Sequence, residues 1–146
     1  MHELDEKDYS ILDVLKQNSA LSMQKIAKKT GIPLATVHHR LKKLKVLGII
    51  QKYTIILDKA KLGRKLVAYI LLKAIPGADH TALLFELVKN PSIEDGSAVT
   101  GEFDLILKVR LSDIEELDQF VLKYLRTFKQ IAQTQTMIAF KNIANP

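Results

Sequence analysis

Apolar residues in the first fifty positions recur at helical spacing, in three blocks separated by short polar breaks. Ile11, Leu12 and Leu15 share one helical face before Asn18, and Asp5 with Asp8 three residues later reads as a capped start. Ser22 opens a second, shorter block carrying Met23, Ile26 and Ala27, which ends at Thr30-Gly31, where glycine permits a tight turn. Pro33 suits the first turn of a third helix over about residues 33–47, with Val37, Leu41 and Leu44 inward and Gly48 as its stop. A short helix, a glycine turn and a longer helix have helix-turn-helix spacing.

Beyond residue 48 the period changes. Residues 49–57 are β-branched and apolar and predict one or two strands, and residues 58–63 break that pattern and mark a domain boundary. Residues 66–74 read as a strand, Pro76-Gly77 as a turn, and 79–89 as a helix with Leu84, Leu87 and Val88 inward, closed by Asn90-Pro91. A second strand at 93–100 turns tightly at Gly101-Glu102 into 103–110, whose alternation puts Phe103, Leu105, Leu107 and Val109 on one face. Ser112 and Glu115 form a capping box for a helix to about Phe128, with Ile114, Leu117, Val121 and Tyr124 as its stripe, and 131–140 supplies the last strand. The order βαββαβ is the ferredoxin-like arrangement, an antiparallel four-stranded sheet with both helices on one face. The fold class is therefore α+β: a helix-turn-helix domain at 1–50, a β linker at 51–64 and a ferredoxin-like domain at 65–146. Residues 66–72 are apolar on both sides of their strand, and Ile106 and Ile138 read as facing outward. A second copy of the sheet would cover that surface, giving a homodimer that sets two helix-turn-helix units at a fixed spacing.

Composition adds exclusions. At 47% hydrophobic and 26% charged residues the chain is globular rather than disordered. No apolar run reaches the roughly 18 residues needed to cross a bilayer, and the acidic start Met1-His2-Glu3-Leu4-Asp5 lacks the basic and apolar regions of a signal peptide, so a cytoplasmic protein is expected. The absence of cysteine removes disulfides, thiolate nucleophiles and cysteine-bound zinc.

Charge changes the picture further. The net +6 belongs wholly to residues 1–63, and Lys25, Lys28, Lys29, Arg40, Lys42, Lys43 and Lys45 lie between positions 25 and 45 with no acid among them. Such a patch suits a polyanion, here double-stranded DNA. With Val37, Leu41 and Leu44 inward, Ala35, Thr36, His39 and Arg40 fall to base edges, as expected for the early part of a recognition helix. Lys28, Lys29, Lys42 and Lys43 fall to phosphates, with Lys25 and Lys45 behind them. His38 and His39 point about 100° apart on a helix and cannot chelate one ion, and His2 and His80 are isolated, so no metal site is expected. No nucleophile–base pair or phosphate-binding glycine loop is present, so the chain reads as a non-enzyme without a cofactor.

The chain resembles the Lrp/AsnC family of feast/famine regulators over nearly its whole length. The segments that carry the resemblance are Leu4-Asp5 through Ile11-Leu12, Ile26-Ala27-Lys28 to Gly31-Ile32, Val37 with Arg40 and Leu44, Gly48-Ile49-Ile50 to Tyr53-Thr54, and Val99 to Asp104. The resemblance implies a winged-helix-like N-terminal domain and a C-terminal αβ sandwich that forms dimers and octamers and takes amino-acid effectors. It places the effector between dimers, near the turn of Thr100, Gly101, Glu102 and Asp104 and near Thr134 and Thr136. Asp104 suits an α-ammonium, and the Gly101 amide with the threonine hydroxyls suits a carboxylate and side chain. The chain carries Pro33-Leu34 where the family often has Ser-Pro, and His39 where arginine is common, so no target sequence carries over. Two competing readings are a low-specificity architectural DNA-binding protein and an enzyme like the siroheme decarboxylases, which are similar to this family over both domains. The basic run at 25–45 argues against the second.

Overall fold

A computed structural model describes residues 4–143; Met1, His2 and Glu3 of the acidic start, and the last three residues of the expected second domain, lie outside the described residues. The chain divides into two compact units that meet between Leu57 and Asp58.

The first unit contains α1 (Glu6–Gln17), α2 (Met23–Thr30) and α3 (Leu34–Val46). Asp5 caps α1 by accepting from the Lys7 and Asp8 amides, and the Asp8 side chain returns the bond to the Asp5 amide, so the box expected from sequence is complete. Ser22 caps α2 by accepting from the Lys25 amide. Between α2 and α3 the chain reverses at Gly31, whose φ of +69° is left-handed, while the Thr30 hydroxyl donates to Ile26 O and accepts from the Ile32 amide. Ile11, Leu15, Ile26, Ile32, Val37 and Leu41 form the core. The strands expected at 49–57 do not form among the described residues. A strand persists only when its backbone groups find a ladder partner. Here no ladder forms: the Ile49 and Ile50 amides donate to Leu44 O at the end of α3 instead, and Ile55 and Ile56 remain 75% and 78% exposed.

The second unit has β1 (Leu66–Ala74), α4 (His80–Leu87), β2 (Ile93–Ala98), β3 (Leu105–Leu111), α5 (Ile114–Gln119) and β4 (Ile131–Ile138). The sheet order is β2-β3-β1-β4, antiparallel throughout, which is the expected ferredoxin-like arrangement. Ala68, Ile70 and Leu72 of β1 and Leu105, Leu107 and Val109 of β3 form the core beneath the helices.

Several local expectations are corrected. On α4 Leu83 is buried instead of Val88, because the buried pair is Leu83 and Leu87, one turn apart. The cap of α5 is Asp113, and Ser112 pairs with Glu116 rather than Glu115. After Gln119 the helix widens into a π-helical turn over Phe120–Tyr124 and then tightens to a 3-10 turn over Leu125–Thr127. That wide turn shifts the buried stripe by a residue, so Leu125 enters the core while Tyr124 lies at its rim between the Phe120 and Phe128 rings. Ile138 stands opposite Ala68 on the helix side of the sheet, so it does not face outward as expected. The outer face instead presents Tyr69, Leu71, Ile106 and Met137, interleaved with Lys73, Gln133 and Gln135.

Candidate functional site

Burial of Val37, Leu41 and Leu44 turns the rest of α3 outward. Ala35, Thr36, His39, Arg40 and Lys43 line an open concavity of about 360 Å3, while His38 lines a different one with Lys42 and Lys45. The two histidines thus face separate surfaces, as the helical angle requires. Helix α3 starts at Pro33 with no side-chain cap and no acid in its first turn. Its leading amides and positive dipole end are therefore open to an anion. Lys28, Lys29 and Lys42 are exposed and pair with no acid among the described residues.

Arg40 is placed differently from the expectation of a base-reading side chain. Its guanidinium turns back onto α1, where Nη1 contacts Asp5 Oδ1 and stands 2.9 Å from Asp8 Oδ1, leaving the side chain 19% exposed. Lys43 Nζ approaches the other Asp8 oxygen at 3.6 Å. Donation to Asp5 and the nearby Asp8 carboxylate raise the Arg40 pKa above its ordinary value, and accepting from Arg40 lowers that of Asp5. Asp8 was missed as a functional residue, although the sequence held a signal: it stands one turn before Ile11 and Leu12, an acid on a buried stripe.

In the second unit the turn between β2 and β3 is longer than a two-residue hairpin. The Val99 amide donates to Asp104 O and closes it, and Gly101 has φ +123°. Thr100, Gly101 and Glu102 are exposed along it. Asp104 Oδ2 accepts from the Ala74 amide at 2.8 Å, while Lys73 Nζ donates to Glu102 O at 2.5 Å and lies 3.8 Å from Asp104 Oδ1. The turn is thus pinned to the end of β1. Thr134 and Thr136 stand opposite Leu72 and Ile70, on the far side of β1 from β3. With strands about 4.8 Å apart, β1 interposes roughly 10 Å between the two groups. A cavity of about 460 Å3 beside Thr134 is lined by Leu125, Arg126, Phe128 and Lys129, among others, and by none of the turn residues.

A second charged cluster was also missed. Burial raises the Glu94 pKa, but hydrogen bonds from Lys59 and Arg110 outweigh it and hold the carboxyl below its ordinary range. Lys59 Nζ and Arg110 Nε lie 2.7 and 2.6 Å from Glu94, with Lys108 at 3.7 Å. The three cations stand 14 to 35 positions from Glu94 in sequence, so no local pattern announces the cluster.

Residues 4–51 match the family described as winged helix-turn-helix DNA-binding, and residues 67–145 match the Lrp/AsnC ligand binding domain. An uncharacterized HTH-type transcriptional regulator of Pyrococcus furiosus is 37% identical over 142 residues, covering 96% of this chain and 95% of that protein. Among solved structures, LrpC of B. subtilis is 28% identical with a TM-score of 0.87, covering 99% of this chain and 100% of that one. A transcriptional regulator of Neisseria meningitidis, solved as an L-Met complex, is 26% identical with a TM-score of 0.91, covering 98% of this chain and 94% of that one. The uncapped, lysine-flanked α3 and the four-stranded αβ unit are thus parts of one known architecture, and the chain is a DNA-binding transcription regulator that belongs to the Lrp/AsnC family.

Proposed function

We propose that the protein reads specific double-stranded DNA by laying α3 in the major groove. Ala35, Thr36 and His39 meet base edges, and Lys28, Lys29 and Lys42 hold phosphates on either side. The observation that carries this reading is the outward face of α3, whose uncapped start leads into Ala35, Thr36 and His39, with exposed Lys28, Lys29 and Lys42 in the same unit. Lys43 reaches phosphate only as far as its contact with Asp8 allows. The outer sheet face, with Tyr69, Leu71, Ile106 and Met137, packs against a second copy to form a homodimer, and dimers assemble further, to an octamer.

An amino acid is the effector in this reading. The L-Met complex of the Neisseria meningitidis relative supports that class of ligand. Asp104 takes the α-ammonium, while the Gly101 amide and the hydroxyls of Thr100, Thr134 and Thr136 serve the carboxylate and side chain, with Glu102 at the rim. The separation of the turn from the threonines by β1 supports a site to which different copies contribute the two groups, between protomers. The relative is named a transcriptional regulator, and this reading assigns no catalytic residue, metal or cofactor. No described helix is long and apolar enough to cross a membrane, in keeping with work in the cytoplasm.

The test is fluorescence anisotropy on the DNA upstream of the protein's own gene and on a composition-matched random duplex, across a salt series, with and without L-methionine. Preference for the upstream DNA that survives moderate salt and shifts with methionine is expected, and would also establish autoregulation. Equal, steeply salt-dependent binding to both duplexes would replace this reading with an architectural one.

A further inference from the structure

The α1 residue Asp8 is fully buried, yet it carries a charge among apolar neighbours Ile11 and Leu15. What surrounds it comes largely from α3. Arg40 Nη1 stands 2.9 Å from Oδ1 and Lys43 Nζ 3.6 Å from Oδ2, and the remaining contact is the Asp5 amide, 3.3 Å from Oδ2. Oδ1 has no aligned hydrogen bond, so the two cations compensate the buried charge chiefly by proximity. Asp5, itself bonded to Arg40, adds a second carboxylate on the solvent side of the guanidinium.

We propose that Asp8, acting through Arg40 and Lys43, is a specificity-determining residue: it holds two cations of the recognition helix back from DNA, so that the short side chains beside them decide which sequence binds. The inference rests on the DNA-reading role proposed for α3. A free arginine at position 40 would stand beside His39 in the same concavity and could grip any phosphate it met. Such a contact strengthens binding to every sequence alike and lowers the ratio of specific to non-specific affinity. To make it, Arg40 would have to leave two carboxylates, one of them sealed from water with only Lys43 remaining. The guanidinium therefore stays on α1, and Asp8 is a positioning residue that never touches DNA.

The experiment uses the full-length chain and two duplexes: one recovered from a randomised pool by the native protein, and a shuffled version of it. Dissociation constants are read across a salt series for the native chain, Asp8→Asn, Arg40→Gln and the double variant, with thermal unfolding to verify that each is folded. Asp8→Asn is expected to bind the shuffled duplex about 3- to 10-fold more tightly and to steepen the salt slope by about 0.9 to 1.8, the effect of one or two more neutralised phosphates. Arg40→Gln alone is expected to leave the slope unchanged, yet to remove about 0.9 from it in the Asp8→Asn background. A slope that falls by about 0.9 in both backgrounds would overturn the proposal, because Arg40 would then contact DNA in the native chain. An Asp8→Asn slope equal to the native one would overturn it independently, so the outcome stands even if Arg40→Gln alone does not fold. A pool from which no sequence is enriched would instead overturn the DNA-reading proposal on which this one rests.

Discussion

Asp104 holds a structural role, and the role proposed for it toward an amino-acid ligand can be separated from that by substitution. Its Oδ2 accepts from the Ala74 amide at 2.8 Å, at the point where the pairing of β1 with β4 shifts register and beyond the last β1–β3 pair at Leu72 and Leu105. Ala74 is 8% exposed, so without that carboxylate its amide is an orphan with little access to water. A hydrogen bond to a charged group contributes about 1.5–3 kcal/mol, and the side chain here is 22% exposed, which favours the lower part of that range. Asp104→Ala should therefore cost about 2 kcal/mol and lower the melting temperature of the C-terminal unit by roughly 10 °C. Asp104→Asn retains an oxygen for Ala74 and should cost under about 1 kcal/mol. The asparagine cannot pair with an ammonium as a carboxylate does, so L-methionine should bind it about tenfold or more weakly. Urea unfolding followed by circular dichroism measures the first effect, and calorimetric titration of methionine the second. If Asn and Ala lose equal stability, the attraction of Lys73 rather than the bond to Ala74 holds the turn. If Asn binds methionine as the native chain does, the ammonium does not sit on Asp104.

Three further perturbations test other parts of the structure. A Cβ on Gly96 would stand 2.8 Å from Leu84 Cδ1 and 3.1 Å from both Leu107 Cδ2 and Val88 Cγ1, so Gly96→Ala should destabilise the C-terminal unit by about 1–2 kcal/mol in urea unfolding, and native-like stability would show that α4 gives way freely. Glu94 has a folded-state pKa below its ordinary 4.5, so its contribution to stability is complete above that value and is lost as pH falls through the folded-state value; acid titration of Glu94→Gln should lack that part of the decline. Lys42→Ala should weaken binding to all duplexes and reduce the salt slope by about 0.9, whereas His39→Ala should reduce sequence preference at unchanged slope, and the reverse assignment of effects would exchange their roles.

The architecture was legible because most of its elements are announced locally. The Asp5–Asp8 box, the Thr30-Gly31 turn and the 66–74 strand each follow from residues within a few positions of one another, and the alternation from Phe103 to Val109 names the core face without any knowledge of what packs on it. The failures share a cause. Residues 49–57 have strand composition, but a strand is completed by a partner, and composition does not say whether one exists. Ile138 alternates as an outward residue would if β4 ran without interruption, and the register shift at Lys73/Ala74 changes which face it takes. The Tyr124 stripe assumed 3.6 residues per turn through a segment that winds more widely.

The site was legible in charge and illegible in pairing, and the difference is physical. A cluster of cations without an intervening acid is a property of one segment, so the basic run at 25–45 was enough to identify the DNA-binding unit. Whether a given cation is free is a property of the fold: Arg40 meets acids 32 and 35 positions away, on a helix and its cap that pack against its own helix through the core of Ile11, Val37 and Leu41. The same core that turns Ala35 and His39 toward the concavity also brings Asp8 under Arg40. Charge counted along the sequence therefore overstates the charge offered to DNA, and the excess is found by asking which acids occupy apolar stripes. Asp8 occupies one here, and an acid at such a position requires a cation from another element to remain ionised at tolerable cost. When the facing element is a recognition helix, its supply of cations for DNA is reduced by those the buried acid keeps.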